Sequence, residues 1–103
     1  MKRILIVSAA LLPLLSVAAQ ARSDPQMGRT IAQQWCASCH QIGTGATEGK
    51  DVAPTFSSVA NDHGKDLTWV ATYLLDPHLP MMGIDLSRQQ IDDVVAYIGT
   101  LQH

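Results

Sequence analysis

The sequence predicts an all-α fold of a few short helices joined by long loops, and three observations carry that expectation. In the last segment Ile91, Val94, Val95, Ile98 and Leu101 recur at helical spacing behind a Ser87-x-x-Gln90 capping box. Earlier segments open with helix-start residues, Asp24-Pro25 and Asp66. No stretch alternates apolar and polar residues with the period of a strand, and no internal repeat or low-complexity segment follows residue 21.

The first residues set a compartment before any fold begins. Lys2 and Arg3 precede an apolar run from Ile4 to Leu15 that closes on Ala19-Gln20-Ala21, the form of a secretory signal peptide. The run is shorter than the roughly 20 residues that span a bilayer, and it ends in small residues rather than a stop-transfer pattern. Residues 1–21 are therefore expected to be a signal peptide and 22–103 the functional domain, exported to the periplasm and soluble there.

After that boundary, Pro25 sits at the first helical position behind Asp24, and a helix can run through Gln34 into a pair of cysteines. From Ile42 to Val52 the chain is rich in Gly, Thr and Ala without periodicity and reads as loop. A short helical turn is expected over Phe56 to Asn61. A better helix is expected over Leu67 to Leu75, with Asp66 as N-cap, Pro77 after it, and one apolar face from Trp69, Val70, Tyr73 and Leu74.

Cleavage after Ala21 of the 103-residue chain leaves 82 residues, one small domain. Chains of this size bury little apolar surface against their chain entropy and commonly need a disulfide, a metal or a cofactor. The two cysteines are three positions apart, too close to close a long loop, so a cofactor is the better staple. Residues 22–103 hold five Lys and Arg against nine Asp and Glu, a net charge of −4. That balance lacks the cationic surface that nucleic-acid binding requires, and no basic amphipathic helix offers itself to a membrane.

The chemistry is concentrated in Cys36-Ala37-Ser38-Cys39-His40, the C-x-x-C-H pattern of c-type haem attachment. Two thiols at this spacing can each add to one vinyl group along a porphyrin edge, and the next residue's imidazole then reaches the iron. Other uses of C-x-x-C stay open on the motif alone. A redox disulfide of the thioredoxin kind needs a βαβ pattern, which is missing. A structural zinc needs further ligands at matching spacing, whereas His63, His78 and His103 are scattered singly. A plain disulfide across so short a loop would stabilise little.

From Gln26 to Leu101 the chain resembles the class I monohaem cytochromes c, and the resemblance implies their fold: short helices and long loops wrapped around one covalent haem c. In that family a glycine eight residues before the first cysteine lets the N-terminal helix cross an aromatic of the C-terminal helix, and Gly28 and Tyr97 fit those positions. Without the family, a helical Gly28 costs about 1 kcal/mol relative to alanine, for which close backbone approach is a physical reason. Ala53-Pro54-Thr55-Phe56 resembles the family's G-P-x-L, which implies that Pro54 supplies the acceptor for the ligand histidine's second nitrogen. Alanine replaces the usual glycine there. Pro80-Met81-Met82-Gly83-Ile84-Asp85-Leu86-Ser87 resembles the methionine loop, M-P-x-I-x-L-S, and implies Met81 as the sixth ligand opposite His40. Met82 is the next choice, ahead of His78 and His63. His63 reads as a solvated turn residue and Trp69 as core, with an edge that can lie near a haem propionate.

The resemblance implies a one-electron carrier rather than an enzyme, a monomer that meets a redox donor and a redox acceptor transiently. Two rivals remain: a haem subunit of a larger dehydrogenase or oxidase, and a sensor or enzyme with an open sixth position.

Overall fold

A computed structural model describes residues 4–6, 8–10, 22–44, 49–77, 81 and 83–103. Among them are four helices, α1 Pro25–Trp35, α2 Phe56–Asn61, α3 Thr68–Leu75 and α4 Arg88–Gly99, and no strand beyond an isolated bridge between Gln41 and Gly49. The fold is all-α, as the periodicity predicts. Residues 4–6 and 8–10 form no helix and are exposed. The Ala19-Gln20-Ala21 segment, His78, Pro80 and Met82 lie outside the described residues.

Each helix start has a local cause. Asp24 is extended and its carboxylate accepts from the N–H groups of Gln26 and Met27, while Pro25 follows with no N–H to satisfy. The Thr55 hydroxyl caps α2 by accepting from Ser58 N–H at 3.0 Å. In α4 the capping box closes in both directions, Gln90 N–H to Ser87 Oγ at 3.1 Å and Ser87 N–H to Gln90 Oε1 at 2.8 Å.

The α3 boundary differs from the sequence expectation by one residue. Leu67 occupies the cap position without a side-chain bond, because the Asp66 carboxylate takes both the backbone N–H of Thr68, at 3.0 Å, and its hydroxyl, at 2.7 Å. A carboxylate that satisfies the residue two ahead makes an Asx turn, which delays the helix by one position. At the other end, α4 stops at Gly99, and Leu101 packs against the core from the following turn rather than from the helical stripe.

The principal packing is α1 across α4. Gly28, Ile31 and Ala32 are buried on α1, the i, i+3, i+4 spacing of one face, and Ile91, Val94, Tyr97 and Ile98 are buried on α4. At the crossing a Cβ on Gly28 would fall on the carbonyl oxygen of Asp93 and lie 2.9 Å from Cβ of Tyr97. Only glycine permits that approach. Buried Asp93 also ties the entry of α1 down, since Oδ1 accepts from Asp24 N–H at 2.8 Å and from Gln89 Nε2 at 2.9 Å. Phe56, Ala60, Val70, Leu74 and Ile42 complete the core around this pair.

Candidate functional site

The end of α1 turns the cysteine motif inward. Cys36 and Ala37 both donate to the Ala32 carbonyl, at 2.9 and 3.0 Å, and Cys39 and His40 both donate to the Cys36 carbonyl, at 3.1 and 2.9 Å. This tight run places Cys36, Cys39 and His40 in the lining of one cavity. Cys36 is buried and Cys39 exposed, and both are unpaired thiols. Burial pushes the Cys36 thiol up to about 11. A thiol so reluctant to ionise is not itself the attacking thiolate of a disulfide exchange. A thioether at the same position carries no such burden.

His40 is 9 % exposed, and its Nδ1 lies 2.5 Å from the carbonyl oxygen of Pro54. A carbonyl can only accept, so Nδ1 carries the proton and Nε2 keeps the lone pair that a metal needs. The Phe56 ring packs against the imidazole with centroids 5.5 Å apart, and Tyr97 packs behind Phe56 at 6.3 Å. The Tyr97 hydroxyl donates to the Ile42 carbonyl at 2.6 Å, which anchors the loop just after His40 to α4.

The cavity has a volume of about 460 Å³. Its walls are largely apolar: Trp69, Val70, Tyr73 and Leu74 from α3, Val94 and Ile98 from α4, with Phe56, Val59 and Ile84. Half-buried Met81 lies in the same lining as the cysteines and His40. Two thiols, an imidazole with a free lone pair and a thioether around an apolar space fit an iron porphyrin in their donor chemistry. Among the described residues no three His, Cys, Asp or Glu side chains gather as a metal site of their own. A metal that brings ligands of its own, as porphyrin iron does, fits a site with one such imidazole.

Other sequence expectations are placed less simply. His63 is exposed, as expected, but its ring lies 4.5 Å from that of Trp69. Trp69 is not core: it is 38 % exposed and lines both the cavity and an open groove on α3 with Thr68, Thr72 and Asp76. Val70 and Leu74 of α3 are buried in the core while Trp69 stands at the edge of the cavity, so its indole keeps an open side. Sequence reasoning missed Val59, Ile84 and Trp35 as cavity walls and the Tyr97 hydroxyl as an anchor. Ile84 is a lone residue in an aperiodic loop, Val59 lies on a helix of only six residues and Trp35 is the last residue of α1, so none belongs to an apolar stripe that shows what it will face. A buried tyrosine hydroxyl does need a partner, and that general rule was the available signal for Tyr97.

Helices packed around an apolar cavity, with a C-x-x-C-H turn in its wall, define the class of c-type cytochromes. Comparison with known proteins narrows this further. The family described as cytochrome c oxidase, cbb3-type, subunit III has a sequence model that matches residues 23–98. Cytochrome c-552 of Bradyrhizobium diazoefficiens is 39 % identical over 80 residues, which cover 78 % of this chain and 77 % of that protein. No solved structure matches. The chain belongs to the cbb3-type cytochrome c family, and haem c is its covalent cofactor.

Proposed function

We propose that residues 22–103 form an exported one-electron carrier in which Cys36 and Cys39 hold the haem and His40 and Met81 are its axial ligands. One observation carries the reading: a single apolar cavity gathers all four side chains, with the His40 tautomer already set by Pro54. Bound haem supplies reversible one-electron iron chemistry, and a methionine sulfur opposite histidine raises the potential relative to two histidines. The chain's own residues do the rest. Cys36 and Cys39 tether, Pro54 and Phe56 fix the imidazole plane, and the α3 and α4 side chains keep water from the cavity. Fixed ligands on both sides suit electron transfer, since little has to move when the charge changes.

Export is supported by the signal-like residues 1–21 and by the exposure of Ile4, Leu5 and Ile6, which are 84 to 90 % exposed and take no part in the core. No helix among the described residues is long and apolar enough to cross a membrane. The deciding experiment is to reduce the purified protein and add carbon monoxide. A carrier with both axial positions filled keeps its spectrum; prompt stoichiometric binding would replace this reading with an open-site sensor or enzyme.

The family description, which names an oxidase subunit, favours a second reading in which this domain serves inside a larger complex. Fractionation of the native source separates the two. A free carrier leaves the cells with the soluble periplasmic fraction and migrates as a monomer, while a subunit stays with an oxidase through purification.

A further inference from the structure

We infer that Gly49 is a positioning residue for the haem ligand His40, acting through a backbone brace that only glycine can close. The inference rests on the reading of His40 as an axial ligand and adds to it the device that sets the ring.

Gly49 pairs with Gln41 across the loop that follows the cysteine motif. Its φ of +112° is a conformation that side chains disfavour. A Cβ there would fall on the carbonyl oxygen of His40 itself, and would lie 3.2 Å from the Ala37 carbonyl oxygen. The contact is with backbone, which cannot rotate away as a side-chain tip could. Gly64 provides a comparison, for its φ of +66° is also positive but nothing lies within 4 Å of a Cβ added there.

Beyond Gly49 the chain closes onto the motif through its amides. Lys50 N–H donates to Ala37 O at 3.0 Å, and Val52 and Ala53 N–H both donate to Cys39 O, at 3.0 and 2.8 Å. Phe56 N–H then donates to Gln41 O at 2.9 Å. Between the last two of these contacts sits Pro54, whose carbonyl receives Nδ1 of His40. The acceptor that orients the ligand therefore lies on a strap tied to the motif on both sides. Gly49 is where the strap first crosses the ligand's own backbone. A side chain there must lift the strap or push the His40 peptide, and either movement lengthens the Nδ1 contact. A weaker hydrogen bond makes the imidazole a poorer donor to iron and favours the reduced state.

The test compares haem-loaded wild type, Gly49→Ala and Gly64→Ala, reading the reduction potential and the exchange rate of the His40 Nδ1 proton by NMR. Gly49→Ala is expected to raise the potential and speed that exchange by about tenfold, the weight of one hydrogen bond. Gly64→Ala is expected to lower the melting temperature while moving neither. Equal effects from both variants, or a Gly49→Ala protein that melts earlier with potential and ring-proton exchange unchanged, would overturn the inference. If Gly49→Ala yields no folded holoprotein, wild type decides alone. The Lys50, Val52 and Ala53 amides should then exchange together with the Nδ1 proton in one opening event. Loop amides that exchange about a hundredfold faster than a ring proton indifferent to them would equally refute it. A His40→Ala protein that kept its low-spin spectrum would instead remove the ligand assignment, a result separate from the glycine comparison.

Discussion

Met81, which lines the cavity, and Met82, its neighbour in the sequence, are the pair whose roles a mutation can separate most directly. Where a chain is extended, neighbouring residues point to opposite sides, so a haem facing one of two adjacent methionines would not face the other. Met81 lines the cavity with His40 and lies six positions before the capping Ser87. Met81→Ala should open the sixth position, lower the potential and let the ferrous protein bind carbon monoxide, whereas Met82→Ala should leave ligation intact. Loss of the weak sulfur-to-iron absorption band in the Met82 variant alone would reverse the assignment. A second expectation concerns Cys36 and Cys39. Protein boiled in denaturant should carry haem stain with the polypeptide on a gel, and neither cysteine should take up an alkylating agent. Haem running free with two alkylated thiols would deny the thioethers.

At the scale of elements, the α1–α4 crossing and the α3 start make opposite demands on substitution. Alanine at Gly28 must displace the Asp93 carbonyl, so Gly28→Ala should destabilise by about 2–3 kcal/mol, the cost of overpacking against backbone. Alanine at Gly99 meets only the tip of Leu67, at 3.7 Å, and should be neutral or stabilising by up to about 1 kcal/mol through helix propensity. Denaturant titration of the two holoproteins checks the contrast, and equal losses would remove close approach as the explanation for Gly28. At α3, the bonds from the Thr68 N–H and hydroxyl hold the Asp66 carboxyl below its ordinary value. A depressed carboxylate contributes stability that is present above its unfolded value and is lost as pH falls through the folded one. The Thr68 amide should therefore lose protection on acidification below the usual carboxylate range. In an Asp66→Ala protein that acid response should be missing.

For the molecule as a whole, the cavity decides how folding and cofactor are coupled. Without the porphyrin, the apolar side chains lining a cavity of about 460 Å³ would lose their packing partner, a loss that a domain of this size, with little stability to spare, cannot readily offset. The apoprotein should consequently be largely unfolded, with weak helical circular dichroism and no cooperative melt, and both should return on haem attachment. A cooperatively melting apoprotein would show that the helices suffice. The net charge of −4 over residues 22–103 further predicts that association with a cationic redox partner weakens as salt rises, in the manner of screened encounters.

The elements with local causes are legible in the sequence by itself. Asp24-Pro25, the Ser87-x-x-Gln90 box and the helical spacing of Ile91, Val94 and Ile98 each encode a helix within a few residues, and Cys36-x-x-Cys39-His40 encodes its chemistry in five. The Asp66 turn is also local, but two uses of one carboxylate, capping or Asx turn, look alike in sequence. Tertiary structure alone decided what Asp93, Tyr97, Trp69 and Gly49 do. Asp93 is buried against Asp24, Tyr97 reaches Ile42, Trp69 opens on a cavity, and Gly49 crosses the carbonyl of His40. Those roles arise from segments far apart along the chain or from the crossing of an aperiodic loop. Periodicity and capping report only a residue's near neighbours, so such meetings exist only once the helices have packed.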